Sequence, residues 1–268
     1  MANLLAQFNP LRVYKDKRSR QFDLTADMDI RKTDLVFYET GKIPAIQVVF
    51  DAVPETDSVT IELLDEFDNV VGDPYDMTVS ALDDYFRCIY LGSTEVGLTE
   101  GYYSLKITNG TDEFWTDIFC FIDDPANWED ETRTLLGIKV ETSDILMGKE
   151  YRFNMTGFAP QFYLNADVLG DKQSTEQQGI KQRAITNVNY GSRAFQRCFE
   201  IGGNRAIWMY LSALGLLQGN GQITLTWYYE TFIASDILVE DTNENTNGMY
   251  QIKLTFVDES ETVSMLNI

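Results

Sequence analysis

The sequence predicts a mainly β protein in two parts, an N-terminal β-sandwich and a β-rich second half carrying one α-helix. Three observations predict it. Short runs of β-branched and aromatic residues, cut by turn residues, recur through 34–128. Arg205 to Gln218 sets apolar residues at helical spacing. The polar, proline-containing break Asp123-Asp124-Pro125-Ala126-Asn127-Trp128 divides two lengths of β pattern. A chain of 268 residues suits two ordinary domains, and six prolines with no long Pro/Ser/Gly run imply a short linker. The expected organisation is an arm at 1–33, the sandwich at 34–128 and a second domain at 135–268.

The first thirty or so residues show little periodicity. Arg12, Lys15, Lys17, Arg18 and Arg20 stand there against Asp16 alone. They read as a basic arm that packs on a neighbour or along its own domain. From about Asp34 the strand runs are LVFYET, AIQVVF, SVTIELLD, YFRCIYL, GYYSLKIT and EFWTDIFCFI. SVTIELLD alternates Val59, Ile61 and Leu63 with Ser58, Thr60 and Glu62, which puts one face in a core and the other in water. Asn109-Gly110 is a hairpin signal, because a type I′ turn needs positive φ at both central residues. Six short strands in about ninety residues is the spacing of an immunoglobulin-like sandwich.

The second half opens with LLGIKVET and KEYRFNMTGF. Residues 170–182, centred on Asp171 to Gly179, are polar and without apolar period, and are expected to form a long exposed loop. A strand at Ala194 to Ile201 follows, then Gly202-Gly203-Asn204 and a helix at 205–218. Ile207, Leu211, Leu214 and Leu217, with Tyr210, lie on one helix face, Asn204 is a good N-cap and Gly219 a good C′ residue. QITLTWYYETFIASDILVE and MYQIKLTFVD supply the remaining strands around a polar turn at Thr242 to Gly248. Trp227, Tyr228 and Tyr229 place rings on both faces of their strand, as at a subunit interface.

Charge is segregated along the chain. The formal net is −21, and Asp51 to Glu131 alone holds twenty-one carboxylates against Arg87 and Lys106. Lys181, Arg183, Arg193, Arg197 and Arg205 face only Glu200. An acidic body and two basic strips let copies of one chain meet through complementary potentials. The same net charge repels phosphate, so nucleic acid is not an expected partner.

No reaction is announced. There is no histidine, which removes His-based triads, His metal sites and the commonest general acid/base. Walker, dinucleotide and Gly-x-Ser-x-Gly motifs are missing too. An enzyme working by carboxylates alone needs a deep cleft of which the sequence gives no sign. No catalytic, cofactor-binding or metal residues are therefore assigned, and the turn acids Asp65, Asp68 and Asp73 read as a solvated surface. Cys88, Cys120 and Cys198 are an odd set without a CxxC pair, read as free buried thiols rather than a Cys88–Cys120 bridge. The sequons at Asn109 and Asn154 read as chance. MANLLAQFNP lacks the features of a secretory signal, and the longest apolar stretch, Ala206 to Leu217, is too short to span a membrane. Cytoplasmic synthesis without membrane association is the expectation.

The order GYYSLKITNGTDEFWTDIFCFIDDP, FQRCFEIGGNRAIWMYLSALGLLQ, ITLTWYYETFIASDILVE and YQIKLTFVDESETV resembles structural proteins of tailed phages and prophages of Bacteroidetes hosts. That resemblance implies a non-enzymatic virion component of the tail, tail tip or baseplate, or neck, partnered by copies of itself in a ring and by other virion proteins. The helix at 205–218, the segment at 170–182 and the strands after Gln222 are similar to the tail-tube and hub domain of phages, whose subunits join sheets edge to edge. An additional sandwich in front departs from a simple tube protein and implies a terminal or peripheral position. The expected assembly interface is Arg12, Lys15, Lys17, Arg18, Arg20, Lys181, Arg183, Arg193, Arg197, Arg205, Trp227, Tyr228 and Tyr229. The alternative is a glycan- or host-surface-binding sandwich using exposed rings, with Tyr102, Tyr103, Trp115, Trp227, Tyr228 and Tyr229 as the candidates.

Overall fold

The computed structural model describes residues 2–7, 9–15, 35–53, 58–82, 84–95, 97–124, 134–142, 160–182, 185–204, 221–227, 230–234, 236–244 and 249–258. These residues are mainly β, with no helix among them. The expected helix at 205–218 lies outside the described residues. In chain order the first thirteen strands are β1 (Leu4–Gln7), β2 (Val13–Tyr14), β3 (Val36–Glu39), β4 (Lys42–Ile43), β5 (Ile46–Phe50), β6 (Val59–Leu64), β7 (Val70–Asp76), β8 (Thr78–Leu82), β9 (Tyr85–Tyr90), β10 (Ser93–Thr94), β11 (Gly101–Asn109), β12 (Asp112–Thr116) and β13 (Phe119–Ile122).

One antiparallel sheet runs β1-β5-β9-β8, and a second runs β7-β6-β11-β12-β2. They share one core. Ile46, Val48 and Phe50 from β5 and Cys88 from β9 join Val59, Ile61 and Leu63 from β6, Leu105 and Ile107 from β11, and Phe114 from β12. Phe50 and Phe114 meet with ring centroids 5.0 Å apart. The alternation of β6 is as its sequence predicts, with Val59, Ile61 and Leu63 buried and Thr60 and Glu62 partly exposed. Each such large apolar side chain contributes about 1.5–3 kcal/mol by leaving water.

Two local features differ from expectation. The β11–β12 hairpin is present, but its register ends at Asn109 paired with Asp112, so the turn residues are Gly110 and Thr111. Only Gly110 has positive φ, at 62°, which is the pattern of a type II′ turn. Asn109 stays in the strand because its buried amide donates to the Ala52 carbonyl at 2.9 Å. The run EFWTDIFCFI is two strands. It breaks at Asp117-Ile118, where the Thr116 hydroxyl accepts from the Leu105 N–H and donates to the Asp117 carbonyl, taking over from ladder bonds.

The sheet continues past the proline-containing break. β14 (Thr134–Thr142) and β15 (Gln161–Gln182) pair antiparallel; β15 then pairs with β3, which lies parallel to β13. Leu136, Ile138, Phe162, Leu164 and Ala166 enter the core made by the first half, while Phe37, Cys120, Ile122, Leu135 and Tyr163 cluster separately. Gly137 of β14 leaves room for the Tyr163 ring: a Cβ there would stand 2.8 Å from it. Beyond these come β16 (Ile185–Asn204), β17 (Gly221–Trp227), β18 (Glu230–Ala234), β19 (Asp236–Glu244) and β20 (Met249–Asp258), with β17 between β14 and β18, and β20 between β16 and β19.

Residues 170–182 are not a loop. They are the outer part of the 22-residue β15, laddered to the 20-residue β16 from Ala166–Ile201 out to Gln182–Ile185. The polar sequence that predicted a loop forms a ladder of backbone pairs instead.

Candidate assembly surface

The β15–β16 hairpin is the most distinctive surface feature. Globular strands average five or six residues, and this pair is more than three times that. Its base is built into the body: Gln161–Ala166 pair with β14 on one edge, and β3 takes Tyr163 and Leu164 on the other. On the β16 side, β20 accompanies Phe195–Asn204. From 174 to 182 and from 185 to 194 the arm is two-stranded among the described residues, an extension of about 30 Å at the usual strand rise. Such a ribbon offers two rows of backbone donors and acceptors and gains little stability by itself.

Lys181 lies near the tip, opposite Thr186, and Arg193 and Arg197 lie opposite Thr175 and Asp171. Arg193 and Arg197 are four residues apart on β16. Lys17, Arg18, Arg20, Arg183, Arg205, Tyr228 and Tyr229 lie outside the described residues. Trp227 is the last residue of β17 and pairs with Glu230.

The described residues of the expected arm, 2–7 and 9–15, pack along the two-sheet body. β1 adds to β5 and β2 to β12. Asp117 fixes the entry to β2: it accepts from the Arg12 backbone N–H at 3.1 Å, the Arg12 Nε at 3.3 Å and the Tyr14 hydroxyl at 2.7 Å. The Arg12 guanidinium lies over the Tyr14 ring, 4.8 Å from its centroid. Lys15 pairs with Asp112 at 3.4 Å and donates to the Ala2 carbonyl. The hydrogen bond from the Ala2 N–H, with those from Lys15, holds the Asp112 carboxyl below its ordinary value. Arg12 and Lys15 are thus committed within the subunit. Asp117→Ala is expected to lower stability by about 1.5–3 kcal/mol through lost charge-assisted bonds, read as a shift of the urea midpoint.

The body presents acids: Glu66, Asp73, Asp76, Asp84, Glu113, Asp123 and Asp124 are exposed. At the β6–β7 turn Asp65 accepts from the N–H groups of Phe67 and Asn69 at 2.9 and 2.8 Å, and Phe67 stands 76% exposed. No periodicity marks such a ring; the Asp-x-x-x-Asn spacing around it is its only trace. The aromatics singled out as a ligand platform behave otherwise, since Tyr103 is buried and Tyr102 and Trp115 partly so. Cys88 and Cys120 are free, lie in different apolar clusters, and are both pushed up to about 12 by burial.

One polar network ties the two halves together. Glu39 accepts from the Tyr163 hydroxyl and from Lys42, with Gln161 Nε2 at 3.4 Å. Lys42 and Gln161 also line a shallow groove with Leu91, Ser93, Thr94 and Pro160. Burial raises the Glu39 pKa, but the bonds from Lys42 and Tyr163 outweigh it and leave the carboxyl below its ordinary 4.5. A depressed folded-state pKa stabilises above the unfolded value and loses that contribution as pH falls through the folded one. Acid is therefore expected to lower the melting temperature of the native chain more steeply than that of Glu39→Gln below about pH 4.5.

No protein-family model matches this chain, and no curated protein matches it. A solved structure, of Dpr2 Ig1-Ig2 in complex with DIP-Theta Ig1-Ig3, aligns over 84% of this chain and 88% of that one at 9% identity, with a TM-score of 0.18. So loose a superposition carries no argument about fold or partners.

Proposed function

We propose that this chain is a non-enzymatic structural subunit that assembles with copies of itself into a ring in the tail, tail tip or baseplate, or neck of a phage particle. The observation that carries the reading is the polar β15–β16 arm, which extends past its own sheet with open edges among the described residues. The basic positions on that arm and the acidic exterior of the two-sheet body supply complementary potentials between neighbours. The resemblance of the sequence to virion proteins supplies the particle. In this reading the body is an immunoglobulin-like sandwich and the second half is the ring-forming, tail-tube or hub-like part. Contacts between neighbours are heterologous, arm to body, so rotational symmetry closes them into a ring.

The test is light scattering on a size-exclusion column over a concentration series, with negative-stain images of the largest species. Closed rings of a single stoichiometry are expected. A monomer at every concentration contradicts self-assembly.

A further inference from the structure

We propose that β8 is the acceptor edge of the body, onto which the β15–β16 arm of a neighbouring copy adds as a further strand; this rests on the assembly reading above. The edges of the body's two sheets are not equivalent. β7 is guarded by Asp73, Pro74 and Asp76, and by a register irregularity at its pairing with β6 near Gly72, whose φ is 77°. These are the devices that keep an edge from pairing. β1 is short and irregular in register, and β2 is two residues long. β8, Thr78-Val79-Ser80-Ala81-Leu82, has no charge, no proline and a register without irregularity, and Thr78, Val79 and Ala81 are exposed.

The hydrogen-bonding polarity of β8 follows from its turn. Leu82 pairs with Tyr85 across a two-residue connection, and in such a hairpin the closing pair exchanges both backbone bonds. By alternation Ser80 and Thr78 also bond to β9, while Val79 and Ala81 direct N–H and C=O groups away from it. This is the array that an incoming strand uses in β-augmentation. Charge selects the occupant. β8 is bracketed by acids, Asp76 before it and Asp83 and Asp84 after it, whereas the sequence from 174 to 194 carries Lys181, Arg183 and Arg193 against Glu176 alone. The nine residues 174–182 are long enough to cover all five of β8.

Two variants of the full chain test this, compared by sedimentation velocity with circular dichroism as the check on folding. Ala81→Pro removes one outward N–H and leaves the bonds to β9. The other variant replaces 174–194 with an Asn-Gly turn, keeping the edge and losing the arm. Each alone is expected to sediment as a folded monomer, and an equimolar mixture is expected to give a 1:1 heterodimer and nothing larger, since one supplies an arm and the other an edge. If folded Ala81→Pro assembles like the native chain while the arm-shortened variant does not, β8 is not the acceptor and the assembly reading stands. If the arm-shortened variant assembles like the native chain, both fail. Ser80→Lys leaves the backbone intact and sets a positive charge beside the edge; it decides the matter should the proline variant be unfolded, with assembly weakened at least tenfold expected and unchanged assembly overturning the proposal.

Discussion

Reversing Arg193, Arg197 and Arg205 to glutamate is expected to leave the chain folded and abolish its self-association. Arg193 and Arg197 lie on β16 where the arm leaves the body, and the three reversals remove three positive charges and add three negative ones to a subunit already at −21. Every arm would then approach an acidic neighbour with the wrong sign. A single exposed pair contributes at most about 1 kcal/mol, but three reversals exchange attraction for repulsion together. The expected loss is therefore roughly a hundredfold or more in association constant. Added salt is expected to weaken native assembly and partly rescue the variant, because both effects are screened. Sedimentation velocity reads the association, and an unchanged far-ultraviolet spectrum shows that folding is retained. Native-like assembly of the variant removes the electrostatic part of the account.

Phe162→Ala is expected to cost about 3–5 kcal/mol and to destabilise both halves in one transition. Phe162 is fully buried on β15, in the core that holds Leu136 and Ile138 from β14 together with β5, β6 and β11 residues of the first half. A cavity there sits where the sheet crosses from one half to the other. Urea unfolding followed by tryptophan fluorescence and by far-ultraviolet circular dichroism is expected to give coincident curves, shifted together. Two separated transitions, with only one moved, contradict a shared core.

The two-sheet body was legible where one face of a strand is wet, as in β6. Val59, Ile61 and Leu63 alternate with polar residues for that reason, and Asn109-Gly110 marked its hairpin to within one residue. The arm was not legible. Asp171 to Gly179 has no period of two, so it looks like a loop although Lys172 and Gln173 pair with Gln196 and Phe195. What the sequence did contain was two lengths of similar size on either side of Arg183-Ala184. The internal partners of Arg12 and Lys15 were hidden for a different reason. Asp117 stands 105 residues from Arg12, and no local pattern links them. The count of charges marked the strip, and only the fold shows Arg12 and Lys15 paired inside the subunit.

The most direct test of the central claim is amide hydrogen exchange, read by mass spectrometry on peptides covering 174–182, in dilute monomer and in the assembled state. Those amides are expected to exchange rapidly in the monomer, where the ribbon has one partner strand, and to gain strong protection on assembly as the open edge pairs with a neighbour. Equal exchange in both states, with protection appearing elsewhere on the body, contradicts assembly through the arm.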